Sequence, residues 1–263
     1  YSRILSSMTN QNHNIWEGVY ENWDLAPGDD DAFKNDFWIE KISQQALKTL
    51  ESYHSQDDKP LATSVRENVL PLTSAMISLN KLEPLRILDF GGGMGAGYLL
   101  LKKFLCAQKL IEYHIVEGED ICQRGKKIFS SHPNLHFHLT TPRLTHPVHI
   151  IHLGSSLQYI ENWCKLIASF ISLKPRYLIL TDVLAGDIKS FVTIQNFYGK
   201  KIRVNFKNLP DFLSSVEELG FRLIFKSNYY TTICGRIGPL PMQNFDKKYQ
   251  LEHTCQLIFK WID

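Results

Sequence analysis

The stretch ILDFGGGMGAG, residues 87–97, constrains the fold of this chain more than any other. Five of its eleven residues are glycine, and an apolar run with one carboxylate, Asp89, leads straight into them. Such a bend lets a ligand approach the main chain closely, because no Cβ stands in the way. A strand pattern precedes it and a helix pattern follows, so the bend also presents a helix N-terminus. From Leu85 onward that order repeats. Candidate strands are Arg86–Phe90, Tyr113–Glu117, Leu135–Leu139, Val148–Leu153 and Tyr177–Val183, with helical segments at Tyr98–Leu105, Asp120–Phe129 and Ile160–Ser172. Short apolar strands alternating with helices predict a parallel sheet covered on both faces. FRLIFKS (221–227) and CQLIFKW (255–261) have no clear helix between them and predict an antiparallel pair at one edge. The expected fold is a doubly wound, Rossmann-like α/β sheet ending in a hairpin.

Residues 1–82 differ from the rest and predict an N-terminal helical cap, leaving 83–263 as the ligand-binding domain. WEGVYENWDLAPGDDDAFKNDFW holds Trp16, Tyr20, Trp23, Phe33, Phe37 and Trp38, interrupted by a Pro-Gly turn. Six large rings in so short a stretch predict a packed cap, with Trp16 or Tyr20 facing the cleft to exclude water. Ile39, Ile42, Ala46, Leu50 and Tyr53 fall on one side of a helix. SVRE (64–67) is a capping-box pattern, opening a helix towards Leu79 that Pro71 kinks.

Charge and cysteine usage exclude several classes. With a formal charge of +2 and no Lys/Arg stripe, nucleic acid is not an expected partner. Cys106, Cys122, Cys164, Cys234 and Cys255 form no C-x-x-C pair, which predicts reduced thiols and a cytoplasmic protein. No apolar run is long enough for a transmembrane segment, and no signal-peptide pattern is visible. His132, His136, His138, His146, His149 and His152 crowd one region. Asp and Glu are absent from 121–160, so no metal is assigned.

Which ligand do the glycines expect? A triphosphate loop needs G-K-[ST], and Met94-Gly95-Ala96 offers none of it. The dinucleotide fingerprint fits better: Gly91-x-Gly93-x-x-Ala96 matches G-x-G-x-x-G/A, and Glu117 is an acid at the end of the next strand. Asp89 tips the balance away from it. A carboxylate before the bend repels a pyrophosphate, whereas a sulfonium compound with an amino-acid tail brings positive charge. Glu117 has two acceptor oxygens, which suits a ribose diol.

Asp89-x-Gly91-Gly92-Gly93-x-Gly95 after an apolar strand is similar to motif I of the class I S-adenosylmethionine-dependent methyltransferases. Together WEGVYENWDLA, ILDFGGGMGAG, IVEGEDICQRGKKIF, GSSLQYIENW and PRYLILTD…FVTIQN resemble one small family of bacterial methyltransferases. That family is associated with surface-polysaccharide genes, such as those for O-antigen or capsule. The resemblance runs from about Trp16 to the last strand. It implies S-adenosyl-L-methionine as cofactor and a small-molecule or glycan acceptor, with O-methylation ahead of N-methylation.

On that resemblance Asp89, Gly91, Gly92, Gly93 and Gly95 shape the cofactor loop, and Glu117 holds the ribose. Gly154, Ser155 and Ser156 follow the fourth strand, beside the methyl and the methionine end. Gln158, Gln195 and Asn196 are donor-and-acceptor side chains suited to sugar hydroxyls. Asp182, with His152 behind it, is the candidate base for a hydroxyl acceptor. Thr140 and Thr141 stand where many relatives place an acid near the adenine. Residues 184–209 lack a convincing regular pattern and read as a long functional loop. Two other readings stay open from sequence: an NAD(P)-dependent oxidoreductase using Glu117 on the ribose, and a non-catalytic binding protein of this fold.

Overall fold

The computed structural model describes residues 14–54, 83–105, 110–230, 232–233 and 236–262, with Leu70, Thr73, Ser74 and Ile77 between them. The SVRE pattern, Pro71, Cys106 and Cys234 lie outside the described residues. Along the chain come β1 (Trp16–Tyr20), α1 (Asp36–His54), β2 (Leu85–Phe90), α2 (Ala96–Phe104), β3 (Ile111–Val116), α3 (Glu119–Ile128), β4 (Leu135–His138) and β5 (Ile150–Gly154). Then follow α4 (Trp163–Ser169), β6 (Tyr177–Val183), β7 (Ala185–Gly186), β8 (Phe191–Phe197), β9 (Lys200–Asn208) and α5 (Leu209–Glu218). β10 (Phe221–Tyr229), the short pair β11 (Thr232–Ile233) and β12 (Arg236–Ile237), and β13 (Thr254–Trp261) complete it.

Seven strands form one sheet in the order β10-β13-β6-β5-β2-β3-β4. β2, β3, β4, β5 and β6 pair in parallel, and β13 inserts antiparallel between β6 and β10. The strand alternation sends Ile87, Tyr113, Ile115 and Ile179 to one face, where α1, α2 and α3 cover them with Ile39, Ala46, Leu99 and Ile121. Leu88, Ile151, Leu180 and Phe259 go to the other, under Ile167 of α4 and Phe212 and Val216 of α5. On α1, Ile39 and Ala46 are buried and Ile42, Leu50 and Tyr53 partly so, as the helical spacing predicts. Chain order reverses between β2 and β5, which opens a crevice at their carboxyl ends.

The segment expected as a structureless loop is a hairpin. β8 and β9 pair from Phe191↔Phe206 to Phe197↔Lys200, turning at Tyr198 (φ 48°) and Gly199 (φ 81°). Two successive left-handed residues match the right-handed twist of the flanking strands. The available signal was Ile202-Arg203-Val204-Asn205-Phe206, which alternates strictly apolar and polar. β1 joins β8 antiparallel and β7 joins β9 in parallel, giving a second sheet ordered β1-β8-β9-β7. Trp16 therefore lies in a strand, although its surroundings in sequence read as helix and loop. It does not face the cleft. Its ring is buried with Phe191, Val204 and Phe206 beneath Leu240, Met242, Phe245 and Leu251, from the segment between β10 and β13. Tyr20 packs with Ala26, Val192 and Ile194.

Candidate functional site

The carboxyl ends of β2, β3, β5 and β6 converge on the crevice. After β2, Gly91 and Gly93 adopt φ of 71° and 60°, conformations that side chains rarely take. A Cβ on Gly91 would stand 2.6 Å from Ser156 Cβ, so the two turns that follow β2 and β5 can meet only through a glycine. Ser156 Oγ fastens the same contact by donating to the Phe90 carbonyl at 2.9 Å. Gly95, also left-handed, caps α2.

Asp89 lies under this bend, 3 % exposed, and both of its oxygens are engaged. Tyr113 Oη donates to Oδ2 at 2.6 Å and His152 Nδ1 meets Oδ1 at 2.8 Å. A carboxylate can only accept, so the imidazole proton sits on Nδ1; in the neutral ring Nε2 then accepts from Thr181 Oγ1 at 3.3 Å. The register Asp89↔His152 places these side chains next to each other across β2 and β5. The result is a hydrogen-bonded chain, Tyr113–Asp89–His152–Thr181, across four neighbouring strands beneath the glycines. Burial and the adjacent Asp89 charge push the Tyr113 hydroxyl well above its ordinary pKa, so it stays a donor. Gly92 is packed directly over the Asp89 carboxylate, and Gly154 over the His152 ring.

At the end of β3, Glu117 accepts from Gly93 N at 3.0 Å through Oε1 and from Gly118 N at 3.1 Å through Oε2. Burial raises its pKa, and these two amides oppose that rise. Each oxygen keeps a second lone pair. Beyond Gly93 and Gly118 the space is open: a Cβ built on either would have no neighbour within 4 Å.

On the β5–β6 side, Ser155 (φ 57°) and Asp182 (φ 58°) both hold a left-handed conformation unfavourable for a non-glycine residue. Ser155 Oγ donates to Asp182 Oδ2 at 2.7 Å, tying the two strand ends together. Gln158 is buried, and its amide donates to Ser155 O at 3.0 Å and Oγ at 3.3 Å; it braces the turn. Gln195 reaches the same region from β8, accepting from Tyr159 Oη at 3.0 Å. Asn196 points the other way by strand alternation. Its amide is spent on Asn14 O and Glu17 Oε1, holding β1 rather than meeting a ligand at the crevice.

Sequence reasoning missed the aromatic wall above Gln195. Phe33 meets Tyr159 edge-on at 5.2 Å and Phe197 at 5.7 Å, while Trp38 packs on Phe197 and Tyr198 at 5.1 and 5.9 Å. The hairpin tip thereby meets the start of α1. It also missed Tyr113 and Thr181, whose polar atoms were hidden inside apolar strand patterns. The histidines at β4 pack among themselves: His138 Nε2 is 3.0 Å from His114 Nδ1, and His136 stacks on the His114 ring at 4.9 Å. Thr140 and Thr141 lie in the irregular segment after β4.

No protein-family model matches this sequence, and no curated protein is detectably similar to it. Solved structures are. The 1,6-didemethyltoxoflavin-N1-methyltransferase of Burkholderia thailandensis, solved with 1,6-didemethyltoxoflavin and S-adenosylhomocysteine, aligns over 85% of this chain and 90% of its own. The TM-score is 0.53 at 10% identity. An S-adenosylmethionine-dependent methyltransferase from Clostridium acetobutylicum aligns over 85% of this chain and 99% of its own, with a TM-score of 0.50 at 11% identity. At such identities the likeness is one of fold, and the fold is that of the class I methyltransferases.

Proposed function

We propose that this protein is an S-adenosylmethionine-dependent methyltransferase acting on a hydroxyl of a saccharide or sugar-linked acceptor. The observation that carries the cofactor reading is Glu117. Its carboxylate is presented at the end of β3 against a left-handed glycine amide, with unfilled space beyond Gly93 and Gly118. A vicinal diol can donate to the two remaining lone pairs, while the glycines of the bend leave no side chain to block close approach to the main chain. The donor set fits this group.

When bound, S-adenosylmethionine supplies a methyl already activated on a sulfonium. The protein's task is then alignment and proton removal in a site shielded from water. Glu117 orients the ribose. Asp89 braces the bend through Gly92 and keeps its negative charge close beneath it. His152, engaged on both nitrogens, positions Asp89. Asp182, hydrogen-bonded by Ser155 at the ends of β5 and β6, would take the acceptor proton as the new C–O bond forms. Gln195 and Tyr159 offer the acceptor a polar edge, and Phe33 and Phe197 an apolar one that suits the C–H face of a sugar ring. The saccharide assignment draws on the family resemblance in sequence together with this mixed wall.

Thermal-shift titration tests the reading. S-adenosylhomocysteine should raise the unfolding midpoint, and NAD(H) and NADP(H) should not. Glu117→Ala should weaken S-adenosylhomocysteine binding by roughly 10- to 100-fold, the worth of one or two hydrogen bonds to a charged group, with unchanged circular dichroism. Stabilisation by NAD(H) alone, or unaltered affinity in the variant, overturns the proposal.

A further inference from the structure

A second concavity lies away from the glycine bend. It encloses about 340 Å³ between the start of α4, the β8–β9 hairpin, the first turns of α5 and the segment after β1. Neither Glu117, Ser155 and Asp182 nor any glycine of the bend lines it. Phe206, Phe212 and Lys207, all buried, line it together with Trp163. Glu21, Glu161 and Asp211, the acids that line it, are solvent-exposed.

Lys207 is the unusual member. It is 5% exposed, yet its ammonium has no hydrogen-bond or salt-bridge partner among the described residues. Among the described residues the face of Trp163, 5.7 Å from Nζ, is the contact that offsets its charge. The backbone offers no escape, because Lys207 N donates to Leu184 O and the residue pairs with Ala185 at the end of β9. Burial lowers the amine from the ordinary lysine value to about 7. A buried lysine costs stability unless something uses it, and a desolvated amine is a nucleophile at neutral pH.

We propose that this cavity is a second ligand site, which takes a small aldehyde or ketone and holds it as an imine on Lys207. The Nζ lone pair forms a bond to the carbonyl carbon while the C=O π pair moves to oxygen. The oxygen then leaves as water, carrying the two amine protons, and N=C remains. No oxidant or reductant is consumed. Proton traffic for the dehydration falls to the exposed acids lining the cavity. This site stands independently of the methyl-transfer reading.

Reductive ethylation of the native protein tests it, using acetaldehyde with cyanoborohydride and quantifying each lysine by peptide mass spectrometry across pH. At pH 7 the free-amine fraction of Lys207 exceeds that of a lysine at the ordinary value by roughly 10³-fold. Its labelling should therefore lead that of every exposed lysine at pH 7 and level off above that pH, while theirs climbs towards pH 10. A Lys207 labelled no faster than exposed lysines at pH 7, or one whose labelling keeps rising with theirs, overturns the proposal.

Discussion

The two sheets of this protein solve the same problem in opposite ways. The seven-stranded sheet covers both faces of its parallel strands with helices, and helices connect β2 to β3, β3 to β4 and β5 to β6. The four-stranded sheet is assembled from distant pieces, β1 meeting β8 across more than 170 residues, as in the Thr193–Glu17 bond. An acidic turn is laid along its basic strand: Arg203 on Asp30 at 2.8 Å and Lys200 on Asp31 at 3.0 Å. Such exposed pairs set register more than stability. The difference teaches where each property sits. The parallel sheet fixes the glycine bend within a hydrogen-bonded lattice, and in the reading proposed above the second sheet borders the acceptor side, the part free to differ between proteins of one fold.

Substitution at the bend should show the largest effect. Gly91→Val puts branched carbon onto Ser156 at a left-handed backbone; we expect a loss of about 3 kcal/mol or more in chemical denaturation, and no binding of S-adenosylhomocysteine. A stable, binding-competent Gly91→Val would mean that the turns after β2 and β5 can separate without cost.

Acid should distinguish the sheets next. Burial first, then the neighbouring His136, lowers His114 to about 4 in the folded protein, with Glu112 opposing. Below the unfolded value of 6.5 the unfolded chain takes up a proton that the folded chain refuses. Stability is thus complete above about pH 6.5 and declines as pH falls towards 4, by about 2–3 kcal/mol. Denaturant midpoints between pH 7 and 4 should shift accordingly, and His114→Phe should flatten the dependence. Hydrogen exchange should open β3 and β4 before β8 and β9; the reverse order would place the weak point in the second sheet.

Thr193→Val should give the smallest change. Thr193 Oγ1 lies near the carbonyls of Glu17 (3.1 Å) and Gly18 (2.7 Å), and its loss should cost about 1 kcal/mol. Proteolysis should then quicken at residues 21–31, with S-adenosylhomocysteine affinity unchanged. Lost affinity would show that the sheets act as one unit.

The sequence by itself determined the parallel sheet, the glycine bend between β2 and α2, and the placement of Asp89 and Glu117 at the ends of neighbouring strands. All of these are local: an apolar run, a bend without side chains, a helix start, repeated. The antiparallel β10–β13 pair was legible for the same reason. Only the tertiary structure decided what those residues touch. Register joins Asp89 to His152 and Tyr113, opposes Ser155 to Asp182, turns Asn196 away from the crevice, brings Trp16 into a second sheet and sets Lys207 beside Trp163. Each depends on pairing between segments far apart in the chain, where local pattern says which face a side chain takes but never which neighbour waits there.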